Sequence, residues 1–225
     1  MIVLGLDGSG DGVGAALVDG TGVRASCWAG PGARPAAALL QLSDQALRLA
    51  GLERTALQGL AVAVGPGSYA GIRAAVATGK ALAWAADLPL AAVGSLLALA
   101  CAAGPWPGLV WAASDARRGR VYAASFRWDA SVPACVREPA LLDAPAFLAV
   151  LAQEPCLLVG GGAASLPIPG TTAAPRLQGP ALAAAVAWLG RRSLLRGERA
   201  DPFTLLPVYA GEPVLGPPAK HRPGE

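Results

Sequence analysis

Asp7, Gly8 and Ser9 form the first cluster with chemical potential, an acid opening the glycine-rich run Asp7-Gly8-Ser9-Gly10-Asp11-Gly12. An aspartate in such a turn can orient metal-bound water while the turn N–H groups meet a phosphate. An ordinary hairpin turn uses the same residues, so both readings stand. A second glycine-rich stretch, Gly65-Pro66-Gly67-Ser68-Tyr69-Ala70-Gly71, separates the apolar run Leu60–Val64 from a long Ala-rich helical pattern. Strand, turn and helix in that order gather backbone N–H groups at a helix start, where they can cradle an anion. Pro66 removes one of those groups, which favours a structural elbow over a nucleotide grip. The nearby Ala74–Ala81 segment has the Gly-Lys of a phosphate-binding P-loop but neither its first glycine nor its terminal hydroxyl, and it falls inside the helical pattern. Gly160-Gly161-Gly162 follows a strand-like run and fits either a flexible turn or the wall of an adenosine pocket. Arg117, Arg118 and Arg120 with Tyr122 can meet RNA phosphates or stand in solvent. The only histidine, His221, lies in a Pro-rich tail, so a His-based metal site is not expected and a His general base would have to come from that tail.

The elements that must position these residues follow from the hydrophobic pattern. Met1–Leu6, Val13–Val18 and Val23–Trp28 are short strand-like runs joined by polar Gly/Asp turns, which predicts an antiparallel meander. A helix is expected from Pro35, with proline pre-set for its opening turn. On its projection Leu39, Leu42, Ala46 and Leu49 make one apolar stripe, and Leu40 and Leu47 another. The arc is wider than the ~100° a helix needs to cover its own sheet, so a core helix and a partner-binding helix are both open. Ile72–Ala86 is a second helix rich in small residues; Gly71, Ala75, Thr78, Gly79 and Ala83 would let another backbone come close. Arg73 in its first turn opposes the helix dipole at ~0.3–1 kcal/mol, so an acid in this chain or a partner is expected to hold it. Leu90–Val93 predicts a strand and Ser95–Ala103 a helix capped by Ser95. After Gly104-Pro105-Trp106-Pro107-Gly108 come a strand pair, Leu109–Ala113 and Arg120–Trp128, and a weaker strand near Val132–Leu141. A helix at Ala144–Gln153, a strand at Cys156–Val159 and a helix at Pro180–Arg196 complete the pattern. The expected class is α/β: two β-β-β-α-β-α lobes, 1–104 and 105–225, matching the duplicated fold of actin, Hsp70 and the sugar kinases.

Bulk properties bound the function. With 225 residues, 54% hydrophobic and 15% charged, the chain has ample material for a core. A net charge of +3 is too small to argue for nucleic acid by itself. Arg191, Arg192, Arg196 and Arg199 crowd the end of the last long helix, where cations favour its dipole. Cys27, Cys101, Cys135 and Cys156 are scattered, none in a CxxC pair, as suits a reducing compartment. The first residues lack a basic leader and turn polar at Asp7, so no secretory signal is expected. The uncharged stretch Leu88–Ser114 is broken by Pro89, Gly94, Gly104, Pro105 and Pro107 into pieces too short for a bilayer. A soluble, cytoplasmic protein with no membrane role is expected, its tail from Gly211 frayed.

Gly65-Pro66-Gly67-Ser68-Tyr69-Ala70-Gly71-Ile72-Arg73 resembles the GPGS-(aromatic)-x-G-(aliphatic)-R segment of the bacterial TsaB (YeaZ) family. Three further segments extend the likeness over most of the chain. Gly94-Ser95-Leu96 with Leu99-Ala100, and Pro207-Val208-Tyr209, are weaker; Asp115-Ala116-Arg117 with Gly119 and Val121-Tyr122 resembles the D-A-R-x-G-x-V-Y hairpin. Departures occur at Gly8, at Ala70 and after Tyr209, which loosens any assignment of phosphate contacts to Asp7, Gly8 and Ser9.

The resemblance implies a noncatalytic scaffold that pairs with TsaD, which transfers the threonylcarbamoyl group to tRNA adenosine beside the anticodon, together with the ATPase TsaE. It implies no cofactor in the isolated chain, ATP used by the assembly, and tRNA met through the complex. It also points to the first two helices as the pairing surface. Leu39, Leu42, Ala46, Arg73, Ala75 and Gly79 are the expected contacts, and a homodimer is expected when the chain is alone. The lack of a histidine pair in the first helix sets the chain apart from metal-bearing TsaD and from a metalloprotease. The competing reading is an actin-fold ATP-dependent phosphotransferase using Asp7, and a third is a free-standing RNA-binding module.

Overall fold

A computed structural model describes residues 1–129, 131–161, 172–173 and 180–209. The first half runs β1 (Val3–Asp7), β2 (Val13–Val18), β3 (Val23–Ala29), α1 (Pro35–Ala50), β4 (Gly59–Gly65), α2 (Tyr69–Ala85), β5 (Leu90–Gly94) and α3 (Ser95–Ala102). The second runs β6 (Leu109–Asp115), β7 (Arg120–Asp129), β8 (Val132–Asp143), α4 (Ala144–Leu151), β9 (Cys156–Val159), β10 (Thr172–Ala173) and α5 (Pro180–Leu195). The first sheet has the order β3-β2-β1-β4-β5 and the second β10-β9-β6-β7-β8. In each, an antiparallel meander is extended by parallel strands on the far side of its first strand. The second sheet therefore repeats the topology of the first, and the duplicated actin-like architecture is real.

Period-two alternation decides what each face of the first sheet carries. Leu4 and Leu6 on β1, and Leu60, Val62 and Val64 on β4, point to the α1–α2 side. Val3, Ala61 and Ala63 point the other way, into a central layer shared with α3 and α5. That inner face is built from small residues, and α5 sits hard against it. A Cβ on Gly5 would lie 2.5–2.7 Å from backbone and Cβ atoms of Ala187. A Cβ on Gly190 would collide with the Ala61 side chain, and one on Gly59 would come within 2.6 Å of Leu194. The second sheet begins at Leu109, and α5, which follows it in sequence, covers the first sheet. The layers are α1/α2, first sheet, α3/α5, second sheet and α4. The last is anchored by Phe147, fully buried and edge-on to Trp111 at 5.5 Å.

Several expectations need correction. The supposedly weak strand near 132–141 is the longest of the described strands, with 12 residues. Its outward side chains are mostly exposed because it is a sheet edge, so it lacks an apolar alternation. Strand β10 has no counterpart among the expected elements, since two residues carry no periodicity. Ser95 does not cap α3: Gly94 is the N-cap, and Ser95 Oγ accepts the Gly65 N–H at 3.0 Å. Leu39, Leu42, Ala46, Ala75 and Gly79 do not reach the surface. All five are buried, and a Cβ on Gly79 would run into Val62 of β4. The inward face of α1 is Leu39, Leu42, Ala46 and Leu47, with Ser43 buried among them and satisfied by the Leu39 carbonyl at 2.7 Å.

Gly5→Ala is expected to destabilise the chain by about 1–3 kcal/mol, the usual range for overpacking a close contact. Urea denaturation checks this; an unchanged midpoint would show that α5 can back away from the sheet without loss.

Candidate functional site

The two glycine-rich loops meet each other. The β1–β2 turn begins at Asp7, and the Gly65–Ser68 loop, which includes a cis Gly65-Pro66 bond, leads into α2. A Cβ on Gly8 would strike the Gly71 carbonyl, and a Cβ on Gly71 would strike that of Gly8. One on Gly67, whose φ is +156°, would strike the Ser9 carbonyl. The Ser68 N–H donates to Ser9 O at 2.8 Å, and Gly65 N–H is taken by Ser95. Two of the N–H groups that could have cradled an anion are thus spent on the protein's own backbone and side chains, as a structural elbow requires.

Asp7 and Ser9 are buried, 3% and 6% exposed. One Asp7 carboxylate oxygen accepts both the Ser9 hydroxyl, at 2.7 Å, and the Ser9 N–H, at 3.1 Å. Burial pushes the Asp7 carboxyl above its ordinary value, against the opposing pull of the Ser9 and Gly8 hydrogen bonds. The arrangement fits a buried turn-closing acid. The described cavities lie elsewhere, neither of them lined by Asp7, Gly8 or Ser9.

A strap formed by residues 200–209 holds the same loop from outside. Ala200 N–H donates to Leu90 O at 2.8 Å, Lys80 Nζ to Leu205 O at 2.9 Å, and Val208 N–H to Val64 O at 2.7 Å. The Tyr209 ring stacks on Tyr69 at 5.4 Å, joining the Gly-Pro-Gly-Ser-Tyr and Pro-Val-Tyr segments. Among the described residues of this chain no acid pairs with Arg73. Its guanidinium donates to the Tyr69 hydroxyl at 2.9 Å and lies 5.1 Å from the centre of that ring, so an aromatic one turn earlier takes the cation.

The buried residues of α1 and α2 leave a different surface. Ala36, Ala37, Leu40, Ala77, Thr78, Ala81 and Leu82 line an apolar groove of about 340 Å³ between the two helices. Leu40 is 51% exposed, and Trp84, on the same line of α2 as Arg73, Ala77 and Ala81, is 70% exposed. A second, polar hollow of about 660 Å³ surrounds the end of α1, where Arg54 forks onto Asp44 at 2.9 and 3.1 Å.

At the β6–β7 hairpin Arg117, Arg118 and Gly119 have φ of +66°, +54° and +71°. A side chain at such φ costs roughly 1–2 kcal/mol per residue. Asp115 holds the turn by accepting the Arg117 N–H at 2.8 Å, and the Gly119 carbonyl accepts the Ala144 N–H at 2.9 Å. Arg117 and Arg118 are exposed, whereas Tyr122 packs into the central layer away from them. Gly160 is a packing glycine whose Cβ would collide with the Ala113 carbonyl. Gly162, His221 and the tail from Gly211 lie outside the described residues. The arginines in the last turns of α5 and just beyond it have separate partners: Arg191 Nε donates to the Met1 carbonyl at 3.0 Å, Arg192 lies over Trp188, and Arg196 pairs with Glu198 at 2.8 Å. Among the described residues no three His, Cys, Asp or Glu side chains converge as a metal site, and no helix is long and apolar enough to cross a membrane.

Residues 35–151, from the start of α1 to the end of α4, match the model of the family described as TsaD: tRNA N6-adenosine threonylcarbamoyltransferase. The chain belongs to this family, among its TsaB (YeaZ) members. It is 44% identical over 72 residues to the tRNA threonylcarbamoyladenosine biosynthesis protein TsaB of Bacillus subtilis, covering 32% of this chain and 31% of that protein. It is 36% identical over 93 residues to the protein of the same description from Escherichia coli, covering 40% of each. These matches span less than half the length of either TsaB relative. Among solved structures, an uncharacterized Pseudomonas aeruginosa protein with similarity to peptidase YeaZ superposes with a TM-score of 0.79 at 25% identity, over 93% of this chain and 99% of that one. A ROK hexokinase from Thermus thermophilus shares the fold, with a TM-score of 0.52 at 15% identity over 88% of this chain and all of the other.

With its carboxyl raised above the ordinary value, folded Asp7 keeps a proton that the unfolded chain releases at the same pH. Its contribution to stability therefore falls as pH rises from the ordinary aspartate range through the folded value. Asp7→Asn keeps an oxygen to accept both Ser9 bonds and removes that pH-dependent loss. The variant is expected to gain on wild type, in urea denaturation, as pH rises from the ordinary aspartate range through the raised folded value. A variant that loses ground over that interval would show that the fold favours the ionised form.

Proposed function

We propose that this chain is a noncatalytic accessory subunit in the formation of tRNA threonylcarbamoyladenosine, pairing with TsaD through α1 and α2. The observation that carries the reading is the unpartnered face of small and apolar residues across these helices, on a chain whose TsaB relatives are named for that biosynthesis. Ala36, Ala37, Ala77 and Ala81 let a partner's helices approach closely, and Leu40 and Trp84 supply apolar area at the margins. TsaE joins the assembly, which uses ATP and receives the tRNA; without TsaD the same face pairs two copies of the chain.

The closed contact between the β1–β2 turn and the Gly65–Ser68 loop supports the noncatalytic character of the subunit. A phosphate brought to Asp7 would have to displace the Ser68–Ser9 hydrogen bond and push apart the backbones that touch at Gly8 and Gly71. Likeness to a sugar kinase is a likeness of fold alone and does not favour the phosphotransferase alternative. Four free cysteines, with the Cys101 thiol pushed up to about 11 by burial, suit a reducing cytoplasm.

The test is size exclusion of the chain mixed with TsaD. Wild type is expected to co-elute with it. Ala77→Arg and Ala81→Arg should stay folded but pair at least ~100-fold more weakly, a loss of about 2.7 kcal/mol. Ala75→Arg, in contrast, should fail to fold, because Ala75 is fully buried. Co-elution of both exposed-face variants at wild-type affinity would place the pairing surface elsewhere.

A further inference from the structure

The β6–β7 turn places charge where the backbone disfavours any side chain. Three consecutive residues have positive φ, and only the last, Gly119, is the residue suited to it. Glycine at Arg117 and Arg118 would keep every backbone hydrogen bond of the turn, since Asp115 holds the Arg117 N–H and Gly119 holds Ala144 by its carbonyl. The two guanidinium groups are what glycine would lose, and neither is tied up in the fold. Arg117 is 83% exposed, with its Nε 4.0 Å from Asp115 at the limit of an ion pair. Among the described residues no hydrogen bond or ion pair engages Arg118. Arg120, less exposed, stands opposite Asp143 in the ladder.

We infer that this turn is a phosphate-contacting point for structured RNA, Arg117 and Arg118 forking onto backbone phosphates of the tRNA that the assembly receives. The inference rests on the functional reading above and adds to it the segment of this chain that meets the RNA. A turn clamped at both ends has little backbone freedom left to lose on binding. Planar guanidinium forks suit phosphate oxygens, and a backbone-only contact needs no groove-reading element. An acidic protein surface is the other occupant that such chemistry allows, and the test separates the two.

The experiment titrates an unmodified tRNA transcript, over a range of salt, into the chain alone and into the chain mixed with TsaD. The double variant Arg117→Gly/Arg118→Gly is expected to melt no lower than wild type and to pair with TsaD normally. Its tRNA affinity in the mixture should fall by about tenfold, and the salt slope by about 1.5, as two lost phosphate contacts require. Arg117→Lys/Arg118→Lys should keep most of that slope. Unchanged affinity and slope for the glycine variant would overturn the inference. So would loss of TsaD pairing with tRNA binding intact, which would make the turn a protein contact. If wild type itself fails to pair with TsaD, the functional reading fails separately, and the titration of the chain alone still decides the turn. In that arm, tRNA binding that is absent or indifferent to the arginines also overturns it.

Discussion

Strand β1 has no side chain at Gly5, where α5 crosses it, and none at Gly8, where the chain leaves it beside the start of α2. Each omission lets backbone touch backbone, and the rest of the molecule is arranged around the two contacts. At Gly5 the close approach lets a helix from the second half of the chain serve as the inner wall of the first sheet, with Gly190 against Ala61 continuing the contact. The alanine-rich inner face is the counterpart of that approach: bulkier side chains there would hold α5 off the sheet. The two halves share one central layer because neither can close its core without a helix lying between the sheets.

At Gly8 the same economy of side chains has a functional consequence. Backbone N–H groups of a glycine turn beside a helix start are a general means of holding phosphate. Here the turn and the helix start are pressed together, and Asp7 is buried against its own Ser9. The strap from Ala200 to Tyr209 reinforces the arrangement through Val64 and Tyr69. Closed loops and an open α1–α2 face are the two features on which the proposed accessory role rests.

Much of this was legible in the residues. The apolar runs bounded by Gly/Asp turns mark β1 to β5, Pro35 marks the start of α1, and the strand-turn-helix order at Leu60–Leu82 places the loop that Asp7 and Gly8 meet. What escaped was long-range. A helical projection shows that the apolar arc of α1 is wide but not which side the sheet occupies, so Leu39, Leu42 and Ala46 pointed to a partner while the apolar positions of α1 that line the groove against α2 are Ala36, Ala37 and Leu40. The apolar and glycine character of Ala75 and Gly79 has the same ambiguity, since a residue small enough for a partner helix is small enough for β4. Arg73 finds Tyr69 at i−4, a spacing visible in the sequence, but the stack of Tyr69 on Tyr209 joins residues 140 apart and has no local signal. The positive φ of Arg117 and Arg118 was hidden because arginine gives no composition cue for a left-handed turn.

The closure at Gly8 and Gly71 is put at greatest risk by calorimetric titration of ATP with Mg²⁺ into the isolated chain. No saturable binding is expected, since phosphate would have to force the loops away from each other. A tight, saturable isotherm with turnover of ATP would contradict the closed-loop assignment and make Asp7 a member of a working nucleotide site.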